Sequence, residues 1–230
     1  MLAQANEIVG TDPAAIEFGP IPEPWRILQL SKDVDPTDYR MAHWQGVLAI
    51  EARANNSMAL LARPLTVDLN ATPVLCWRWR VDAPLVSANM STKAGDDYAA
   101  RVYVSFTLPQ EELGFVLRNK LKLARAIWGD AVPDAALNYV WDNRHPVGTR
   151  QPNAYTDRAR MIVAQSGFAN AGKWMVERRD VLQDVIAEFG QPRARLTQLA
   201  VASDTDNTGE TAHAGFADFQ FVARNAACTL

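Results

Sequence analysis

Arginine, tyrosine and glutamate recur at two-residue spacing in this chain. Arg78 and Arg80 flank Trp79, Arg101 and Tyr103 flank Val102, and Glu177 sits in another alternating stretch. A guanidinium fork binds carboxylate or sulfate through two parallel hydrogen bonds, and tyrosine offers both a ring and a hydroxyl. If Arg78, Arg80, Arg101, Tyr103 and Glu177 meet on one concave sheet face, with Trp141 as a stacking platform, they make a binding surface. Its ligand would be a glycan or an acidic small molecule. The same residues would otherwise form an internal arginine–carboxylate network, because buried charges need partners.

Two acidic clusters come next. Asp96-Asp97 and Asp204-x-Asp206-Asn207 supply the hard oxygen ligands that Ca²⁺ takes, and Asp204, Asp206 and Asn207 are the candidate metal set. Neither cluster completes an EF-hand loop, and Asp and Asn also build turns through side-chain to backbone bonds. Two carboxylates at a suitable separation can hydrolyse a glycoside, and Glu177 with Asp97 is the pair to test for a hydrolase or lyase. There is no G-x-S-x-G nucleophile motif and no glycine-rich phosphate loop. His43, His145 and His213 stand in separate contexts. Cys76 and Cys228 either form one disulfide tying the tail to a strand or remain two thiols; the free state is the expectation.

The elements that must position these groups read mostly as strands. Residues 74–81 and 98–106 alternate with period two. Trp77, Trp79 and Val81 share one face there, and Arg78 and Arg80 the other. Further strands are expected at 25–30, 39–42, 47–53, 59–65, 67–69, 138–141, 158–165, 173–178, 195–203 and 214–223. In the 173–178 strand Trp174 and Val176 share one face, and Met175 and Glu177 the other. Residues 111–128 place apolar side chains at i, i+3 and i+4, the pattern of an amphipathic helix, and Asp134 caps a short helical turn through Leu137. Asp180 caps a second helix ending at Gly190. Turn signals every ~8–12 residues fit a sandwich or barrel. The expected class is therefore mostly β: a jelly-roll β-sandwich with helical insertions near 111–137 and 180–189. An irregular segment covers 1–22, a single domain 23–224 and a tail 225–230.

Composition narrows the function classes. The chain has 230 residues, 48% of them hydrophobic, and a formal net charge of −3. No basic field recruits nucleic acid, and no apolar run approaches the ~18 residues that span a membrane. Seven tryptophans fill a core or, for one or two, stack on sugar rings. Ala3-Gln4-Ala5 has the small-x-small form that precedes signal cleavage, without a complete leader. Composition is silent on oligomeric state.

Five segments in order resemble the bacterial domain of unknown function 3047 family: Trp77-Arg78-Trp79-Arg80-Val81, the stretch from Gly95 to Arg101, Tyr139-Val140-Trp141, Trp174 with Glu177-Arg178-Arg179-Asp180, and the stretch from Asp204 to Gly209. The resemblance runs from Trp25 to Val222. It implies a periplasmic or extracellular protein and supplies no activity. The closing stretch from Phe216 to Phe221 is similar to the last strand of galactose-binding-like jelly rolls and carbohydrate-binding modules. That implies a non-catalytic binding role; the alternatives are a carbohydrate-active hydrolase or lyase using Glu177 and Asp97, or a structural or envelope-assembly protein.

Overall fold

A computed structural model describes residues 6–7, 18–115, 118–119, 121–122 and 133–230. The chain forms two seven-stranded sheets packed face to face. The strands are β1 (Asn6–Glu7), β2 (Phe18–Gly19), β3 (Arg26–Leu28), β4 (Asp38–Trp44), β5 (Val47–Asn55), β6 (Leu60–Pro64) and β7 (Val74–Val81). They continue with β8 (Arg101–Thr107), β9 (Ala135–Asp142), β10 (Arg150–Pro152), β11 (Ala159–Ser166), β12 (Met175–Asp180), β13 (Arg195–Ala202) and β14 (Thr211–Val222). The first sheet runs β12-β7-β14-β5-β4-β2, with β1 added beside β14. The second runs β10-β11-β9-β8-β13-β6-β3. Every pairing is antiparallel except β9 with β11.

Alternation explains which side chains meet. Trp77 and Trp79 of β7 point inward and are fully buried, as are Val102, Val104 and Phe106 of β8 and Leu137, Tyr139 and Trp141 of β9. Their rings join the sheets: Trp77 lies 5.4 Å from Tyr139, and Trp79 lies 5.7 Å from Trp141. Such pairs add about 0.5–1.5 kcal/mol each beyond area burial. In β14 the inward residues are Phe216, Phe219 and Phe221, an odd step that alternation forbids. A bulge between Ala217 and Gln220 supplies the missing residue, and Asp218 takes a φ of 56° there. The bulge restores the apolar side chains to the inner face.

A helix, α1 (Val181–Phe189), follows β12. The Asp180 carboxylate accepts the Gln183 N–H at 2.9 Å, and Gly190 closes the helix at φ 67°, as the capping signals predict. The amphipathic segment expected at 111–128 lies largely outside the described residues. Two expectations fail nearby. Residues 135–137 open strand β9 instead of completing a helical turn, and they pair with β8 residue for residue. Residues 67–69 are loop. Asp134 still caps, but it caps a strand crossing: its Oδ2 accepts the Leu108 N–H at 2.8 Å.

The cysteines are joined. Cys76, on the outward face of β7, forms a disulfide with Cys228, which corrects the expectation of two thiols. The pairing is local once the tail folds back, because the Gln220 Oε1 accepts from the Thr229 N–H and hydroxyl. Among the described residues no helix is long and apolar enough to cross a membrane.

Candidate functional site

The arginines do not share a surface. Arg78 and Arg80 project from the outer face of the first sheet, and Arg101 and Tyr103 from the outer face of the second, with the core between them. Period-two spacing assigns faces within a strand but not the sheet each strand joins. Arg78 pairs with Asp218 at the bulge. Arg80 is held by the Gln45 side chain and the Gly172 carbonyl and lies 4.7 Å over the Trp44 ring.

Glu177 faces inward, opposite Trp77, and Val176 is exposed. Trp174 and Val176 share the outer face and Met175 and Glu177 the inner one, as the alternation predicts, so Glu177 turns away from the second sheet's outer surface. Its Oε1 accepts from Trp79 Nε1 at 3.1 Å and Gln165 Nε2 at 2.7 Å. Burial pushes its carboxyl up, and those two bonds only partly offset the shift. Trp141 is also internal, and its Nε1 donates to the Gly167 carbonyl; no face of it is open for stacking. Asp97 lies in the loop before β8, so Glu177 and Asp97 do not flank a common space.

The first sheet's outer face carries a charge network that sequence spacing did not reveal. Glu51 of β5 accepts from Arg40, Arg53 and His213. Burial raises its carboxyl, but those donors outweigh burial and hold it at about 2. His213 Nδ1 reaches Asp82 at 2.7 Å, and its ring stacks on Trp44 at 4.1 Å. Gly215 leaves room for the rings: a Cβ there would stand 2.7 Å from Trp174 and 2.9 Å from Trp44. These groups satisfy one another and cover Ala49 and Ala217.

The second sheet's outer face is different. Five loops and strands β8, β9 and β11 line a pocket of about 320 Å³, floored by Arg101, Tyr103 and Asn138 and walled by Asp96, Asp204 and Asp206. Arg101 is buried, and its fork grips both oxygens of Asp204, with Nε to Oδ1 at 2.9 Å. It also reaches the Asp96 carbonyl and the Tyr103 hydroxyl. The Tyr98 ring covers the guanidinium at 4.4 Å, and Tyr98 joins Met90, Val140, Met161 and Val163 in a small outer core. Burial pushes the Asp204 carboxyl up, against the pull of Arg101.

Tight loop geometry brings the acids together. Gly95 packs against Asn89, where a Cβ would stand 2.7 Å from the Asn89 nitrogen, and this turns Asp96 and Asp97 toward the loop after β13. Asp97 then accepts from the backbone N–H groups of Asn207 and Thr208, the Asn207 amide and the Thr208 hydroxyl, at 2.7–3.0 Å. Ligand oxygens of Asp97, Asp204 and Asp206 lie within 4.8 Å of one another, so this trio can hold a metal ion. It differs from the set expected from sequence. Asn207 donates its amide to Asp97 and accepts from the Tyr155 hydroxyl at 2.9 Å, which commits its side-chain oxygen elsewhere.

Asn138 was not singled out by spacing. It is 1% exposed, and its carboxamide lies against the Tyr103 hydroxyl. Neither Oδ1 nor Nδ2 meets a partner in hydrogen-bond geometry. The signal was present: Asn138 stands between Ala136 and Val140, so a lone amide falls on the face opposite Leu137, Tyr139 and Trp141. Asn153 donates to Asp96 at 2.7 Å, and Tyr155 forms the rim with 55% of its surface exposed. A larger cleft of about 880 Å³ opens between residues 66–70, 107–111 and 192–196. Its charged pair, Arg193 and Glu111, is already closed at 3.3 Å.

The family described as “Protein of unknown function (DUF3047)” matches residues 23–220. The chain belongs to this family. No curated protein matches the sequence. Among solved structures, the xyloglucanase domain of NopAA, a type three effector from Sinorhizobium fredii in complex with cellobiose, is 8% identical with a TM-score of 0.40. That match covers 91% of this chain and 99% of the other. The endo-1,4-beta-glucanase CelB2 is 12% identical with a TM-score of 0.30, covering 89% and 86%. Overlaps this loose transfer no site, and the DUF3047 pocket rests on its own residues.

Proposed function

We propose that this DUF3047 chain is a non-catalytic, exported binding protein whose pocket on the outer face of the second sheet takes a saccharide. The Asn138 carboxamide carries the reading. A buried amide without partners costs about 1–3 kcal/mol, and a hydroxyl-bearing ligand would supply both a donor and an acceptor. Tyr103 and Asn153 add polar groups around it, and the exposed Tyr155 ring gives a sugar an apolar edge to lie against. An acidic small molecule fits poorly, because Asp96, Asp204 and Asp206 outnumber the single Arg101. The inward position of Glu177, away from Asp97, supports binding over hydrolysis. The disulfide suits an oxidising compartment and so supports export.

A bound Ca²⁺ at Asp97, Asp204 and Asp206 is the second reading, favoured by their convergence. Ca²⁺ would have to draw Asp204 from Arg101 and Asp97 from its four donors. Calorimetric titration with neutral, aminated and acidic saccharides, and separately with CaCl₂, tests both readings. Binding of non-acidic sugars supports the first. Absence of any saccharide binding, with Ca²⁺ bound, supports the second.

A further inference from the structure

The three clustered carboxylates are not equivalent. Asp97 accepts four hydrogen bonds from Asn207 and Thr208, and Asp204 gives both oxygens to Arg101. Asp206 is half-buried in the pocket wall, and among the described residues no Lys, Arg or His side chain bridges to it. The same pocket holds the unpartnered amide of Asn138, a residue 1% exposed. The wall carboxylates therefore outnumber Arg101, and the floor offers an amide whose donor and acceptor meet no partner in hydrogen-bond geometry.

We infer that the ligand is a sugar bearing a free amino group, with the ammonium against Asp206 and adjacent hydroxyls on Asn138. This rests on the saccharide reading of the pocket. An ammonium fits Asp206, whose carboxyl leans on Asp97 and has no bridging cation among the described residues, because it brings one charge and three donors. Ca²⁺ takes six to eight oxygens, and in this trio Asp97 is already held by Asn207 and Thr208 and Asp204 by Arg101. An N-acylated or neutral sugar brings no positive charge to this acid-rich wall.

The test is calorimetry on the full chain with glucosamine oligomers, their N-acetylated counterparts, cello-oligosaccharides and CaCl₂, for wild type and Asp206→Asn. The expected result is about tenfold or tighter binding of the amines over the acetylated forms, since a charge-assisted bond contributes that much. Asp206→Asn should erase the preference. Equal affinity for amine and acetylated sugars, a comparison needing no variant, overturns the inference and leaves the saccharide reading intact. So does a preference that survives in Asp206→Asn. Ca²⁺ binding that is lost in Asp206→Asn assigns the group to a metal and overturns it. Silence from every sugar removes the saccharide reading and this inference with it.

Discussion

Arg101 of β8 and Asp204, just after β13, meet fork to fork at the base of the pocket, and both are almost fully buried. The pair fixes the loop that carries Asp206 and Asn207 to the strand that carries Tyr103. Asp204→Asn should therefore cost about 3–5 kcal/mol, the penalty of stranding a buried charge. Arg101→Met with Asp204→Leu should cost less than the sum of the singles. Urea unfolding of the double-mutant cycle checks this, and strict additivity would contradict a coupled pair.

Glu51 gives an acid-side prediction. Its carboxyl is held at about 2, below the ordinary 4.5, by Arg40, Arg53 and His213. A depressed carboxylate stabilises the fold fully above the unfolded value, and that stabilisation is lost as pH falls through the folded one. Glu51→Gln should lower stability at neutral pH by about 1.5–3 kcal/mol. The difference from wild type should shrink between pH 4.5 and about 2. Thermal melts across that window show it; a gap that persists at the acid end counts against the network.

Glu177 has the opposite sign. Burial raises its carboxyl above the ordinary 4.5, so its contribution is full below that unfolded value and is lost as pH rises through the folded one. Glu177→Gln keeps an acceptor oxygen for Trp79 and Gln165 and removes the desolvated charge. Its melting temperature should exceed wild type by an amount that grows from acid to neutral pH. A shift that is constant with pH would mean the charge is not the cause. Retained ligand binding is also expected, since Glu177 points away from the pocket.

The disulfide closes 152 residues of sequence, and linking distant residues restricts the unfolded chain. Cys228→Ser, or reduction, should destabilise by about 2–5 kcal/mol. Unfolding curves with and without reductant measure it. A loss confined to local order in the tail would show that the bond anchors only residues near Cys228.

Strand identity was legible because local alternation decides it. The 74–81 stretch begins and ends as predicted, and α1 carries its cap and its stop in plain sight. The site was only half legible. Arg101, Tyr103, Asp204, Asp206 and Asn207 do converge, but Arg78, Arg80, Trp141 and Glu177 belong elsewhere. Which strands pair is set by contacts distant in sequence, so Arg78 and Arg101 could not be assigned to sheets from spacing. The β14 bulge hides for a similar reason: one unpaired residue inverts the faces that follow. Burial of Glu177 depends on Gln165, which reaches it from the other sheet. Asn138 stood on the correct face, but an amide within a strand attracts notice only once its lack of partners is known.

The most direct measurement is the affinity of Asn138→Leu for the saccharide that binds wild type best, read by calorimetry beside its melting temperature. Replacing this buried amide with an apolar side chain of similar size should change stability by no more than about 1 kcal/mol, because only a poorly aligned contact with the Tyr103 hydroxyl is lost. Binding should fall by about tenfold or more as the ligand's hydroxyls lose both partners. A stable Asn138→Leu variant that binds the sugar as tightly as wild type would contradict the pocket as the binding site.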